Sequence, residues 1–389
     1  MRLCRLYVKR AAASLAMLQS YITIRHKVST MPADFPNPKR LSQSLHELIG
    51  ASRVPGLIVG AAHADQPAAV FAYGKDANGT ALTADSLIPV ASVTKLATAL
   101  SVLRLADSGE LGLQDELHAH LPEAAAARST ITMTQLLCHT SGLPMDVDPK
   151  LVPYNADLDS PTLDQACLQT YPETTPEQQV QYSNVGYGLL ALIVEAHTGL
   201  AFPEALKQLV LDPLHMSAWL GDESHTEPAV VDDVRSSHAN TEIEPFNSRH
   251  WRSLAMPWAG LVTNANGALA LVRAFLGYPA DFLNETTRKI ATQSHTAQLT
   301  GGFVKPMWWQ PCPWGLGPEI RGNKAPHWVP EDMPASFGHS GASGCLAWAD
   351  PVSQQAWVIL GTRTAASGWL LRRGPALSRV ILEAVTSDK

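Results

Sequence analysis

Apolar positions along this chain follow two rhythms, and they predict where helices and strands fall. Leu41, Leu45, Leu48 and Ile49 recur at helical spacing and predict an amphipathic helix from Ser42 to about Gly50. Val54-Pro55-Gly56 ends it. Two continuous apolar runs of strand length follow, LIVGAA and AAVFAYG, and the DANGT after them carries an Asn-Gly turn signal. Residues 89–109, PVASVTKLATALSVLRLADSG, return to helical spacing through Leu96, Ala99, Leu100, Val102 and Leu103, with Asp107-Ser108-Gly109 as the stop.

The middle of the chain is mostly helical in pattern. Thr132 is a good N-cap for MTQLLCHT, which ends at Ser141-Gly142-Leu143-Pro144. Residues 145–165 are polar and interrupted by prolines, so they read as a long surface loop. Leu189, Leu190, Leu192, Ile193 and Ala196 form the stripe of a helix from Asn184 to about Gly199, and ALKQLVLDPLHM reads as another. Residues 221–257 are predicted to be an irregular crossing, and PWAGLVTNANGALALVRAFLG a glycine-rich turn and a helix. Residues 300–335, rich in Trp, Pro and Gly, read as loops beside a cleft. Strand chemistry returns in Phe337 to Gly341, GCLAWAD and QAWVILGT, followed by a last helix, LSRVILEAV.

Strands at both ends and helices between them predict an α+β fold, in which both ends of the chain build one antiparallel sheet. The expected domains are 34–107 together with 236–389 as an α/β part, and 108–235 as an inserted helical part. Residues 1–33 are expected to lie outside the fold: they are basic, weakly apolar, and too short and polar for a membrane span, with Met31 as an alternative start. Without a clear export signal the expected location is cytoplasmic, the periplasm being the alternative.

Composition narrows this picture. The chain has 389 residues, 46% hydrophobic, and a net charge of −6 with no long basic run, which argues against a nucleic-acid partner. Five scattered cysteines lack a C-x-x-C, and no H-E-x-x-H occurs, so neither a disulfide framework nor a metal or other cofactor is expected.

The candidate chemistry starts at Ser92 and Lys95, three apart at the start of a buried helix and so on one face. A buried lysine with a lowered pKa can take the proton of a serine hydroxyl, and a helix N-terminus suits an oxyanion. Taken alone, a helix cap and a solvated lysine explain the pair as well. QYSNVGYG adds Tyr182 as a proton shuttle and Asn184 as an amide partner for substrate or Lys95. FGHSGASGCLAW adds His339, and small residues Gly341 and Ala342 where a substrate can approach an edge strand; the N–H groups of Ser92 and Ala342 can form an oxyanion hole.

Ser92-Val93-Thr94-Lys95, Tyr182-Ser183-Asn184 and His339-Ser340-Gly341, in this order, resemble the three motifs of the serine β-lactamase and penicillin-binding-protein superfamily. The chain is most similar to its class C β-lactamase, D,D-carboxypeptidase and family VIII carboxylesterase branch, and ITMTQLLCHTSGLP (131–144) and residues 257–276 also match. The resemblance implies an antiparallel sheet flanked by helices, plus a helical domain, with the site between them. It also implies acyl transfer: Ser92 as nucleophile, Lys95 and Tyr182 sharing the base role, and Asn184 positioning substrate and Lys95. The third motif departs from the Lys-Thr-Gly usual in class C enzymes. A histidine there holds a substrate carboxylate less firmly, which favours a carboxylesterase acting on short acyl esters, with weak β-lactam hydrolysis. The substrate is then a small ester or β-lactam; the oligomeric state is left open.

Three alternatives remain. One is a β-lactamase, D,D-peptidase or D-aminopeptidase; another is a non-hydrolytic penicillin-binding-like protein that acylates without turnover. The third is an α/β-hydrolase, whose G-x-S-x-G elbow Gly338-His339-Ser340-Gly341-Ala342 matches except for its last glycine.

Overall fold

The first two apolar runs form the antiparallel strands β1 (Gly56–His63) and β2 (Ala69–Gly74) in the computed structural model, which describes residues 35, 37–221 and 226–386. Four strands from the other end of the chain complete the sheet: β3 (Glu319–Ile320), β4 (Phe337–Gly341), β5 (Cys345–Asp350) and β6 (Gln355–Gly361). Their order is β2-β1-β6-β5-β4-β3, with every neighbouring pair antiparallel. The seam between the two ends of the chain is β1 on β6, running from Leu57 opposite Gly361 to His63 opposite Gln355.

Every residue of β5 and β6 is buried, which explains why these strands read as continuous apolar runs rather than alternating ones. Alternate residues of a strand face opposite sides of the sheet. On one side Gly361 lies against Trp369, and Trp357 donates its indole N–H to Ser378 at 2.9 Å, so the C-terminal helix Trp369–Thr386 covers that face. Gly60, of opposite parity, lies against Leu269 of the helix Ala265–Leu276, which covers the other face. Between the two groups of strands come mostly helices, including Thr94–Asp107, Met133–Leu137, Ser160–Gln169 and Asn184–Thr198. The fold is thus the expected antiparallel sheet flanked by helices, with a helical region inserted. The expected extension 1–33 lies outside the described residues. Among the described residues no single helix is long and apolar enough to cross a membrane.

Several helices depart from the sequence reading, and proline accounts for the first three. The segment 145–165 is not loop throughout: Ser160–Gln169 is a helix, capped by Asp159, whose side chain accepts the Thr162 N–H at 2.9 Å. Pro161 sits in its first turn, where the missing N–H costs nothing. In the same way the first helix starts at Pro38, behind the Asn37 cap, rather than at Ser42. The last helix starts at Trp369 rather than at Leu377, and runs through Pro375. Just before it, Gly374 lies against the Trp328 carbonyl, where a Cβ would come within 2.4 Å. Two helices have no counterpart in the sequence reading: Arg249–Ser253, within the expected irregular crossing, and Glu285–Thr292, capped by Asn284.

Candidate active site

Ser92 lies in a single 3-10 turn, Ala91–Val93, that leads into the helix Thr94–Asp107. Ala91 adopts φ +47°, a conformation L-residues hold only under constraint. The constraint is visible. The Thr94 hydroxyl donates to Ala91 O at 2.6 Å and accepts the Leu261 N–H at 3.0 Å, while the Val90 N–H donates to Leu261 O at 3.0 Å. The turn is therefore bolted to the segment before the Ala265–Leu276 helix. First-turn N–H groups have no partner within their helix, so that of Ser92 is available to a ligand.

Lys95 is completely buried, one turn further on. Its ammonium group donates to Asn184 Oδ1 at 2.6 Å and to the Trp258 carbonyl at 3.0 Å, and lies 4.6 Å from the centre of the Tyr182 ring. Burial pushes its pKa well below 10.5, against an opposing pull from Asp146. Asn184 is committed on both sides, since its Nδ2 donates to Asp146 at 2.6 Å. Of the two roles expected for it, the structure displays the one that orients Lys95.

The Tyr182 ring is held between His139, 4.5 Å away centre to centre, and Phe303, 4.4 Å away. Burial raises its pKa, and the nearby Ser92 side chain pulls it down in part; the resting group is the neutral phenol. The phenol oxygen is also 3.5 Å from His339 Nε2. His339 Nδ1 lies 2.7 Å from Ser340 O, so it carries the proton and Nε2 presents a lone pair to Tyr182. Burial, then Lys95, lowers the His339 pKa to about 4. His339 is therefore neutral at pH 7 and offers no positive charge.

His339 belongs to the half of β4 that β3 leaves unpaired, since β3 reaches only Phe337 and Gly338. At the end of that free edge Gly341 faces the Ser92 turn, and a Cβ there would come within 2.2 Å of Val90 O. Glycine is required at this point for the edge and the turn to meet. Ala342, next in the chain, is exposed. Ser92, Lys95, Tyr182, Asn184 and His339 thus converge on one place, and Gly341 and Ala342 form its edge.

A model of the Beta-lactamase family matches residues 41–372. The chain belongs to this family. It is a serine β-lactamase-fold hydrolase of the β-lactamase and penicillin-binding-protein superfamily. Penicillin-binding protein 4 of Amycolatopsis lactamdurans is 27% identical over 274 residues, covering 68% of each protein. Protein flp of Staphylococcus aureus is 33% identical over 132 residues, which cover 33% of this chain and 26% of that protein. Among solved structures, EstCE1, described as a hydrolase with promiscuous acyltransferase activity, gives a TM-score of 0.70 at 19% identity, covering 89% of this chain and 97% of its own. The D-amino acid amidase of Ochrobactrum anthropi gives 0.70 at 18% identity, covering 91% of this chain and 99% of its own. These last two likenesses speak for the fold.

Several residues of this β-lactamase-family site were not singled out from sequence. His139 lies in a stretch that matched the family, yet no role was read for it. Its Nδ1 accepts the Ser183 N–H at 3.1 Å while its ring supports Tyr182. Asp146 and Trp258 hold the Lys95–Asn184 pair from outside. Trp314, from the Trp-rich stretch expected beside a cleft, is fully buried, 6.0 Å from Tyr182 and 5.9 Å from His339.

Against Trp314 lies a fully buried ionic group, with Lys324 Nζ 5.0 Å from the centre of a Trp314 ring. Lys324 Nζ donates to Glu319 Oε1 at 2.7 Å and to the Pro313 carbonyl at 2.9 Å, and His327 Nε2 is 3.2 Å from the same carboxylate oxygen. Burial pushes the Glu319 pKa up, but Lys324 and His327 more than offset this and hold it at about 2. Its ionised form therefore adds stability above pH 4.5, which is lost as the pH falls through about 2. Removing one partner strands the other charge. Lys324→Met is expected to cost about 3–5 kcal/mol of stability in urea unfolding at pH 7. A loss below about 1 kcal/mol, the range of exposed pairs, would show that the pair adds little.

Proposed function

We propose that this chain is a carboxylesterase that hydrolyses short-chain acyl esters through an acyl-enzyme on Ser92, with weak β-lactam hydrolysis as a side activity. The observation that carries this reading is the neutral His339 in the third motif, buried with its Nε2 lone pair towards Tyr182. A β-lactam or a peptide C-terminus presents a carboxylate, and the third motif, with His339 in place of lysine, supplies no cation to meet it. A neutral ester needs none. The fold likeness to EstCE1 agrees with the reading.

In this reaction Ser92 Oγ attacks the ester carbonyl carbon, and its proton passes to the Tyr182–Lys95 pair. With Tyr182 resting as the phenol, neutral Lys95 is the basic member of the pair, its Nζ 4.6 Å from the centre of the Tyr182 ring. The N–H groups of Ser92 and Ala342 hold the oxyanion. As the tetrahedral intermediate collapses, the bond to the leaving oxygen breaks and Tyr182 returns the proton to the departing alcohol. Water then attacks the acyl carbon, gives a proton to the same pair, and the acid leaves as Ser92 regains its hydrogen.

The test compares kcat/KM for p-nitrophenyl acetate, a chromogenic cephalosporin and a D-Ala-D-Ala peptide, with mass spectrometry to find the acyl group. The ester is expected to lead, with the adduct on Ser92. Negligible ester hydrolysis beside fast peptide cleavage would make the chain a peptidase instead.

A further inference from the structure

The backbone around Tyr182 is extended and held on both edges. The N–H groups of Gln181 and Ser183 point one way, and both end on His139. Gln181 donates to its carbonyl at 2.8 Å and Ser183 to its Nδ1 at 3.1 Å. The Tyr182 N–H points the other way, to Gly302 O at 3.2 Å. His139 therefore grips the residues on either side of Tyr182, while its ring lies 4.5 Å from the Tyr182 ring. Asn184 has anchors of its own: its N–H donates to Met145 O at 2.7 Å and its Nδ2 to Asp146. The grip of His139 thus bears on Tyr182 first.

Packing alone does not call for a histidine here. His139 is completely buried at φ +61°, a region that few side chains enter. Burial, then Lys95, pushes its pKa well below 6.5, so the ring is neutral. Because Nδ1 accepts a hydrogen bond, the one ring proton sits on Nε2, which finds no acceptor among the described residues. An apolar side chain would pack without burying that donor. It would, however, strand the Ser183 N–H, which is also buried. Ser183 is the N-cap of the helix Asn184–Thr198, so no carbonyl of that helix takes its N–H. We propose that His139 is a positioning residue of the reaction: its Nδ1 fixes the backbone at Ser183, aims the Tyr182 hydroxyl, and acts through Tyr182 alone. The proposal rests on Tyr182 serving the acylation of Ser92, whichever substrate brings the acyl group.

The experiment replaces the imidazole by two amides. His139→Asn puts an acceptor where Nδ1 stands and tolerates the positive φ, whereas His139→Gln puts its amide near the place of Nε2, out of reach of Ser183. Each is made in the wild type and in Tyr182→Phe. The burst with p-nitrophenyl acetate gives the acylation rate constant and the substrate dissociation constant, and intact mass locates the adduct. His139→Gln is expected to slow acylation by roughly 10²-fold, the cost of misplacing a reacting group by about an ångström. The dissociation constant is expected to change by less than about threefold, since the substrate's own contacts are kept. His139→Asn is expected to recover about tenfold of the loss, the scale of one hydrogen bond. Tyr182→Phe has no hydroxyl to aim, so in it both substitutions are expected to change acylation by less than about threefold. Equal losses in the two backgrounds, His139→Gln within about threefold of wild type, or His139→Asn no faster than His139→Gln overturns the proposal. If His139→Gln does not fold, His139→Gly, which suits φ +61°, takes its place with the same outcomes. If a chromogenic cephalosporin acylates Ser92 and the ester does not, the esterase reading falls, and the same ratios measured with the cephalosporin decide this proposal. If neither acylates Ser92, both fall.

Discussion

Ser92→Ala is expected to lower ester kcat/KM by roughly 10⁴- to 10⁶-fold, the usual cost of removing a nucleophile. Ser340→Ala is expected to stay within about tenfold of wild type, since general positional effects away from the reacting atoms are small on this scale. The contrast follows from the surroundings of the two serines. Ser92 sits in a turn bolted by Thr94, one turn before the buried Lys95, with its N–H unused by the helix. Ser340 contributes its carbonyl to His339, which alanine would keep. Steady-state rates together with the intact mass after brief exposure to p-nitrophenyl acetate read both effects. Retained acylation in Ser92→Ala, lost in Ser340→Ala, would move the nucleophile to the third motif and require a different chemistry.

Lys95→Met is expected to lower kcat/KM by roughly 10²- to 10⁴-fold, the share usual for a positioned base. Its more telling result is the pH profile. The reaction needs the neutral amine, so activity rises with pH as Lys95 loses its proton, and burial places that limb well below 10.5. The limb is expected to disappear in Lys95→Met. If it persists unchanged, another group titrates there. Linkage gives an independent check. Between the lowered pKa of Lys95 and 10.5 the unfolded chain binds more protons than the folded one, so this residue makes stability rise with pH across that window. Urea midpoints of wild type and variant should diverge there in the same sense.

The strands and the long helices were legible because they are continuous or periodic. β5 and β6 are buried on both faces, so their residues are uniformly apolar and stand out in a linear reading. Ser92, Lys95, Tyr182 and His339 were legible only as a set of motifs in order. What brings them together is contact across distance: Lys95 and Asn184 are 89 positions apart, and neither signals the other. Asp146 was hidden because it lies in a polar, proline-broken stretch that reads as solvated loop. Glu319, Lys324 and His327 look equally solvated among their glycines and prolines; only the folded chain places them together and out of water. Pro161 misled for a plainer reason, since a proline that starts a helix and one that ends a helix look the same in one dimension.

The seam between β1 and β6 has a consequence for the making of the protein. Leu57 pairs with Gly361, so the centre of the sheet joins residues 304 positions apart (361 − 57). A chain synthesised at about 5–20 residues per second carries β1 for roughly 15–60 s before β6 exists to cover it. During that interval β1 has only its hairpin partner β2, and the strip Leu57-Ile58-Val59 lies open to other strands. Contacts this non-local also slow folding once the chain is complete. Yield should therefore depend on growth temperature and chaperone supply. Truncation before Gln355 should lose soluble protein altogether, because it removes the strand on which both halves of the sheet depend.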